Sequence, residues 1–246
     1  FFLYLAYNAP HYPLYAPTNY TARFTHIPFG SRRTYAAMVN AMDDGVGEIL
    51  DLLETRGLSS NTMVWFMTDN GAQVNQGGVN LPLRGAKTQV LDGGIRVPAM
   101  VQWPGHLPVS HTSAVPFHIS DVFPTVCAAA GEAPPPSLRL EGRDMLAALA
   151  ATDRVERTLA CFDDGSFQQR AALATDWKYL NTNAVPELYA MPEDVEEATN
   201  QAAGQPALVA QFEEFLTNAW LEVARGPYFA HSNVPPVLLR AERLAP

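Results

Sequence analysis

The sequence predicts an α/β fold with a largely parallel sheet, followed by a small carboxy-terminal α+β part. Three observations carry this. First, short apolar runs alternate with one long helical pattern over residues 1–103. Second, Tyr35, Met38, Val39, Met42, Val46, Ile49, Leu50 and Leu53 recur at steps of three and four, which places them on one helix face. Third, a Pro-rich break at Gly131–Pro136 precedes short β-prone runs and a final helical pattern.

Residues 1–7 are an apolar run of buried-strand character, and His11 follows just past its carboxyl end, where open α/β sheets place their ligands. A loop rich in Pro, Thr and Tyr reaches to about Ser31. The long helix comes next and should stop at Gly57, a residue suited to a left-handed cap. Thr62–Met67 reads as a buried strand ending at Thr68-Asp69-Asn70-Gly71. A polar loop leads to Leu83-Arg84-Gly85-Ala86-Lys87, and a further strand is expected over Val97–Trp103. His118–Ala130 reads as a helix with Pro124 near its start. Beyond the break, Leu159–Phe162, Arg170–Thr175 and Trp177–Leu180 look like short antiparallel strands, and Ala207–Val223 like a helix. The expected division is therefore 1–135 and 136–246.

Composition narrows the function. Hydrophobic residues make up 48% and charged residues 17%, enough for a sizeable core. A net charge of −9 argues against a nucleic-acid surface, because phosphates are bound mainly by excess Lys and Arg. It leaves room for a small anion held by one cation or a metal. No apolar run of about 20 residues is present to span a membrane. Cys127 and Cys161 lack metal-ligand spacing and read as separate buried thiols. Asn19-Tyr20-Thr21 matches the short N-glycosylation pattern, which recurs by chance.

Four residues can carry chemistry. Asp69 and Asn70 offer adjacent side-chain oxygens at a strand's carboxyl end, suited to a hard cation. Calcium needs about six to eight such ligands, so the pair is at most part of a site. Taken alone, Asp-Asn-Gly is first of all a turn. Lys87 can grip an anionic oxygen, although a single lysine is more often solvated; Lys87 and Lys178 are the only two in the chain. His11 beside Pro10 can cap backbone groups or act on a substrate. Together, a strand-end His, a strand-end Asp-Asn and a loop Lys would supply proton donor, metal and anion clamp at one rim.

These segments, in this order, resemble the formylglycine-dependent sulfatases of the alkaline phosphatase superfamily, nearest the arylsulfatase B-like group. The resemblance rests on Tyr7-Asn8-Ala9-Pro10-His11-Tyr12-Pro13-Leu14, Tyr35-Ala36-Ala37-Met38-Val39, and Met42-Asp43-Asp44-Gly45-Val46-Gly47. It continues through Thr68-Asp69-Asn70-Gly71, Pro82-Leu83-Arg84-Gly85-Ala86-Lys87, Gly93-Gly94-Ile95-Arg96-Val97-Pro98 and Asp121-Val122-Phe123-Pro124-Thr125, then Trp177-Lys178-Tyr179 and Glu187-Leu188-Tyr189. It implies a partial alkaline-phosphatase-like α/β fold with a small carboxy-terminal antiparallel sheet and helix, and the activity of a sulfuric ester hydrolase. Asp69 and Asn70 would be calcium ligands, Lys87 a sulfate-oxygen contact, and His11 a contact to the sulfate or its leaving oxygen. The partner would be a sulfated small molecule or carbohydrate, and an exported or lysosomal setting goes with the family.

The chain departs from the family pattern in its nucleophile. Formylglycine arises there from cysteine in a Cys-x-Pro-x-Arg context, and neither Cys127 nor Cys161 stands in one. The early Asp-Asp calcium pair and a Gly-Lys-Trp-His segment are also absent, and Asp43-Asp44 falls inside the long helix instead. The expectation is therefore a carboxy-terminal part, inactive in isolation, with an incomplete calcium site and its formylglycine in an amino-terminal half that would be its partner. Phosphodiesterase or phosphonate hydrolase activity, and a non-catalytic scaffold of the same fold, are the alternatives.

Overall fold

The computed structural model describes residues 1–138, 140–150, 156–162 and 168–224. They fall into two compact units, one made of 1–81 and 97–109, the other of 82–96 and 110 onward. The division thus does not run at the Pro-rich break: the segment carrying Lys87 packs with the carboxy-terminal residues.

In the first unit a short helix α1 (Thr18–Thr21) leads to the long α2 (Ser31–Thr55). The stop signal at Gly57 works as expected. Gly57 takes φ 65°, its N–H donates to Glu54 O at 2.9 Å, and Leu58 N–H donates to Leu53 O at 2.8 Å. That pair of bonds is a Schellman motif, which satisfies carbonyls the helix end would otherwise leave open. Asp44 sits within α2 and pairs with Arg23 at 2.9 Å. Strands β1 (Val64–Met67) and β2 (Ala99–Gln102) pair antiparallel, Val64 opposite Gln102 and Met67 opposite Ala99.

Two expectations for this unit are corrected. Residues 1–7 form no strand and are exposed, Phe1 by 88% and Tyr4 by 81%. Among the described residues no strand pairs with them, and without a ladder an extended apolar run gains neither hydrogen bonds nor a covered face. Likewise β1 and β2 pair only with each other among the described residues, so the expected parallel neighbours are not seen beside them. The apolar stripe of α2 is accordingly only partly covered. Ala37 and Met38 are buried, while Tyr35, Val39, Met42, Val46 and Leu50 line a groove of about 780 Å³ together with Val64, Phe66, Met100 and Val101.

The second unit is built on a four-stranded antiparallel meander, β3 (Leu159–Phe162), β4 (Gln169–Leu173), β5 (Trp177–Thr182) and β6 (Val185–Ala190). Helix α6 (Pro206–Ala224) covers one face, where Phe212 and Leu216 meet Ala172, Tyr179 and Leu188. The other face buries Ala171, Leu180 and Tyr189 with Val90 and Met191. Val90 belongs to the segment that also holds the one-turn α3 (Asp92–Ile95), so this loop is anchored in the sheet's core. Helices α4 (Val122–Ala129) and α5 (Leu146–Ala150) complete the unit. Asp121, just before α4, is buried against Arg157 at 2.5 Å and accepts the N–H groups of His118 and Arg143 at 2.7 and 2.9 Å. Both cysteines are free; burial first of all pushes the Cys161 thiol up to about 11.

Candidate active site

Asp69 and Asn70 stand one residue past β1, beyond its carboxyl end, as the strand reading requires. Asp69 is exposed, and its carboxylate makes no hydrogen bond or ion pair among the described residues. Asn70 donates its Nδ2 to Gly71 O at 3.0 Å, and its Oδ1 accepts no hydrogen bond among the described residues. An open carboxylate and a neighbouring amide oxygen are what a calcium ion takes, but two residues are too few to hold one. Among the described residues, no three His, Cys, Asp or Glu side chains gather into a metal cluster. The residues present therefore fit calcium in kind and fall short of it in number.

His11 lies in a turn whose backbone closes by His11 N–H donating to Asn8 O at 2.9 Å. Its Nδ1 is 2.7 Å from Tyr12 O, and its ring stacks on Tyr12 at 4.9 Å between centroids. Nδ1 can donate to that carbonyl, a contact that does not use Nε2. No interaction joins His11 to Asp69 or Asn70 among the described residues.

Lys87 belongs to the second unit, and its loop is the most tightly determined part of the candidate site. Gly93 N–H donates to Arg84 O at 2.7 Å, Gln89 N–H donates to Ala86 O at 3.1 Å, and Ala86 N–H donates to Gln89 Oε1 at 2.9 Å. The backbone of α3 then presses against this loop so closely that side chains are excluded. A Cβ on Gly93 would stand 2.3 Å from Gly85 O, and one on Gly94 2.1 Å from Gln89 O. The Gly-Gly pair in the sequence is thus explained by close backbone approach. Lys87 itself is half-buried and makes no ion pair among the described residues.

Beneath this loop lies a buried ionic network that the sequence did not reveal. Lys178, the other lysine, is 1% exposed and contacts Asp92, at the start of α3, and Glu197 Oε1, the latter at 2.5 Å. Arg96 adds a second cation to Asp92 at 2.7 Å. Arg84 donates to Tyr189 Oη at 2.9 Å, to Glu187 Oε2 at 2.7 Å and to Glu197 O at 3.0 Å. Burial pushes Glu187 up, but the hydrogen bonds from Tyr189 and Arg84 outweigh it, so its carboxyl stays below the usual range. For Glu197 burial wins over the Lys178 charge, and its carboxyl is raised. Glu197 also holds φ 54°, and Thr88, next to Lys87, holds φ 76°. Left-handed backbone at such residues costs about 1–2 kcal/mol each and persists only where the surroundings impose it. The sequence hinted at this network only through the scarcity of lysine and the neighbouring Arg84; nothing singled out Glu197.

Asp69 and Asn70 thus offer open oxygens at a strand end in the first unit, and the second unit separately presents Lys87 on a rigidly built loop. The chain belongs to the sulfatase family: the family model described as Sulfatase matches residues 1–132. It is similar to mouse N-acetylgalactosamine-6-sulfatase, 36% identical over 163 residues, covering 65% of this chain and 30% of that protein. It is also similar to mouse steryl-sulfatase, 35% identical over 154 residues, covering 59% of this chain and 24% of the relative. Among solved structures, Ps i-CgsB in complex with k-i-k-neocarrahexaose superposes with a TM-score of 0.82 at 29% identity, covering 98% of this chain and 54% of that one. The fold is accordingly the alkaline-phosphatase-like α/β fold of sulfatases with its small antiparallel sheet. The chain spans under a third of the length of these two curated relatives. Among the described residues, no helix is long and apolar enough to cross a membrane.

Proposed function

We propose that the protein to which this chain belongs is a sulfuric ester hydrolase acting on a sulfated carbohydrate or aryl sulfate. The observation that carries the reading is the match of residues 1–132 to the sulfatase family, in a chain whose Asp69 carboxylate and Lys87 ammonium make no ion pair among the described residues. The carbohydrate preference draws on the sugar named for mouse N-acetylgalactosamine-6-sulfatase and on the neocarrahexaose bound by Ps i-CgsB. An exported or lysosomal setting accompanies it by family resemblance.

Each residue has a distinct task in this reading. Asp69 and Asn70 would contribute two of the oxygens around a calcium ion, which when bound supplies Lewis-acid polarisation of a sulfate oxygen. Lys87 holds an anionic sulfate oxygen through its ammonium and stabilises the charge that develops during ester cleavage. His11, with Nδ1 engaged by Tyr12 O, would offer Nε2 to the sulfate or its leaving oxygen. The nucleophile does not come from this chain by the family's motif, since neither cysteine stands in Cys-x-Pro-x-Arg.

The test is hydrolysis of an aryl sulfate against the matching aryl phosphate, with calcium in excess, by the full-length protein and by these 246 residues alone. Preferred sulfate turnover by the full-length protein, with none from the chain alone, supports the reading. Preferred phosphate turnover, or sulfate turnover by the chain alone, contradicts it.

A further inference from the structure

We infer that Glu197 is a positioning residue for Lys87: it ties down both ends of the loop that presents the lysine. This rests on the reading of Lys87 as the sulfate contact. Lys87 lies between Arg84, three residues before it, and Asp92, five residues after it, and both are fastened to the same residue. Arg84 Nη1 donates to the Glu197 carbonyl at 3.0 Å, and its Nε lies 3.7 Å from Oε2. On the other side Asp92 N–H points at the Glu197 carboxylate, 3.3 Å from Oε1 and 3.4 Å from Oε2. Lys178 closes the arrangement by bridging the carboxylates of Glu197 and Asp92 from below.

Three features argue that this is more than incidental packing. The Glu197 side chain is fully buried, and a buried carboxylate is tolerated only when its partners are fixed. Its backbone is left-handed at φ 54°, so the turn that delivers it is held against its own preference. The loop it clasps is closely packed, because a Cβ on Gly93 or Gly94 would collide with the loop's carbonyls. A lysine on a free loop would spend several rotamers and backbone states in reaching an anion. One on a loop pinned at both ends meets it in a single geometry.

The experiment is a double-mutant cycle on aryl-sulfate turnover in the full-length protein, with Glu197→Gln, Lys87→Ala and the pair. Amide exchange over residues 84–94 is followed in parallel. Glu197→Gln is expected to lower kcat/KM about tenfold to a hundredfold, to speed exchange in that segment, and to add little once Lys87 is Ala. An effect that adds in full to Lys87→Ala, or unchanged kcat/KM in Glu197→Gln, overturns the inference and leaves the role of Lys87 standing. If Lys87→Ala alone leaves kcat/KM unchanged, the role of Lys87 falls and the inference falls with it. Should Glu197→Gln fail to fold, Arg84→Gln removes one of the two tethers from a partly exposed side chain and takes its place in the cycle.

Discussion

The Lys178 ammonium meets the Glu197 carboxylate at 2.5 Å with both side chains sealed from water. Of the two lysines in the chain, one is thereby consumed by the core and the other, Lys87, makes no ion pair among the described residues. Removing Lys178 should be far costlier than removing an exposed charge. Lys178→Met would strand Asp92 and Glu197 together without their shared cation, and breaking a buried pair in this way costs about 3–5 kcal/mol. Urea unfolding of the variant checks it. A loss below about 1 kcal/mol, the range of a surface ion pair, would mean the network is not a structural unit.

Two glycines give a contrast of opposite sign. Gly94→Ala puts a methyl group 2.1 Å from Gln89 O, where backbone must move, and should destabilise by about 1–3 kcal/mol. Gly47→Ala, inside α2 with open space around its Cβ position, should stabilise by about 0.5–1 kcal/mol through helix propensity. Thermal unfolding of both variants reads the signs directly.

Asp121 predicts part of the acid limb of stability. Burial alone would raise its carboxyl. The hydrogen bonds from Arg157, Arg143 N–H and His118 N–H outweigh burial and hold it below the ordinary value. A depressed folded pKa means stability that is fully present above the ordinary carboxylate range and lost as pH falls through the folded value. Asp121→Asn should therefore flatten the decline of unfolding free energy from about pH 4 downward, as well as lowering stability at neutral pH. An unchanged slope in urea titrations across that range would refute the assignment.

Where a signal was local, the sequence was readable. The α2 stripe and its Gly57 stop, the strand before Asp69, and the runs that became β3, β4 and β5 all follow from periodicity and turn chemistry. Residues 1–7 were misread because an apolar run says nothing about whether a partner strand lies beside it. The pairing sense of β1 and β2 is likewise a property of neighbours. Asp69, Asn70, His11 and Lys87 could be nominated because their types suit a metal and an anion, although no strand precedes His11 among the described residues. Glu197 could not, since its role depends on Arg84, Asp92 and Lys178, which lie 113, 105 and 19 residues away in the chain. The same long-range contacts draw residues 82–96 into the carboxy-terminal unit, against the expected division at 135/136.

The measurement that tests the central claim most directly is a calcium titration of aryl-sulfate turnover in the full-length protein, with and without Asp69→Ala. The account predicts saturable calcium activation in the wild type. In Asp69→Ala it predicts a fall on the order of a hundredfold or more at the calcium level that saturates the wild type, since metal polarisation is worth several kcal/mol. Equal turnover and an unchanged calcium midpoint in Asp69→Ala would contradict it, and would return Asp69-Asn70-Gly71 to being a turn.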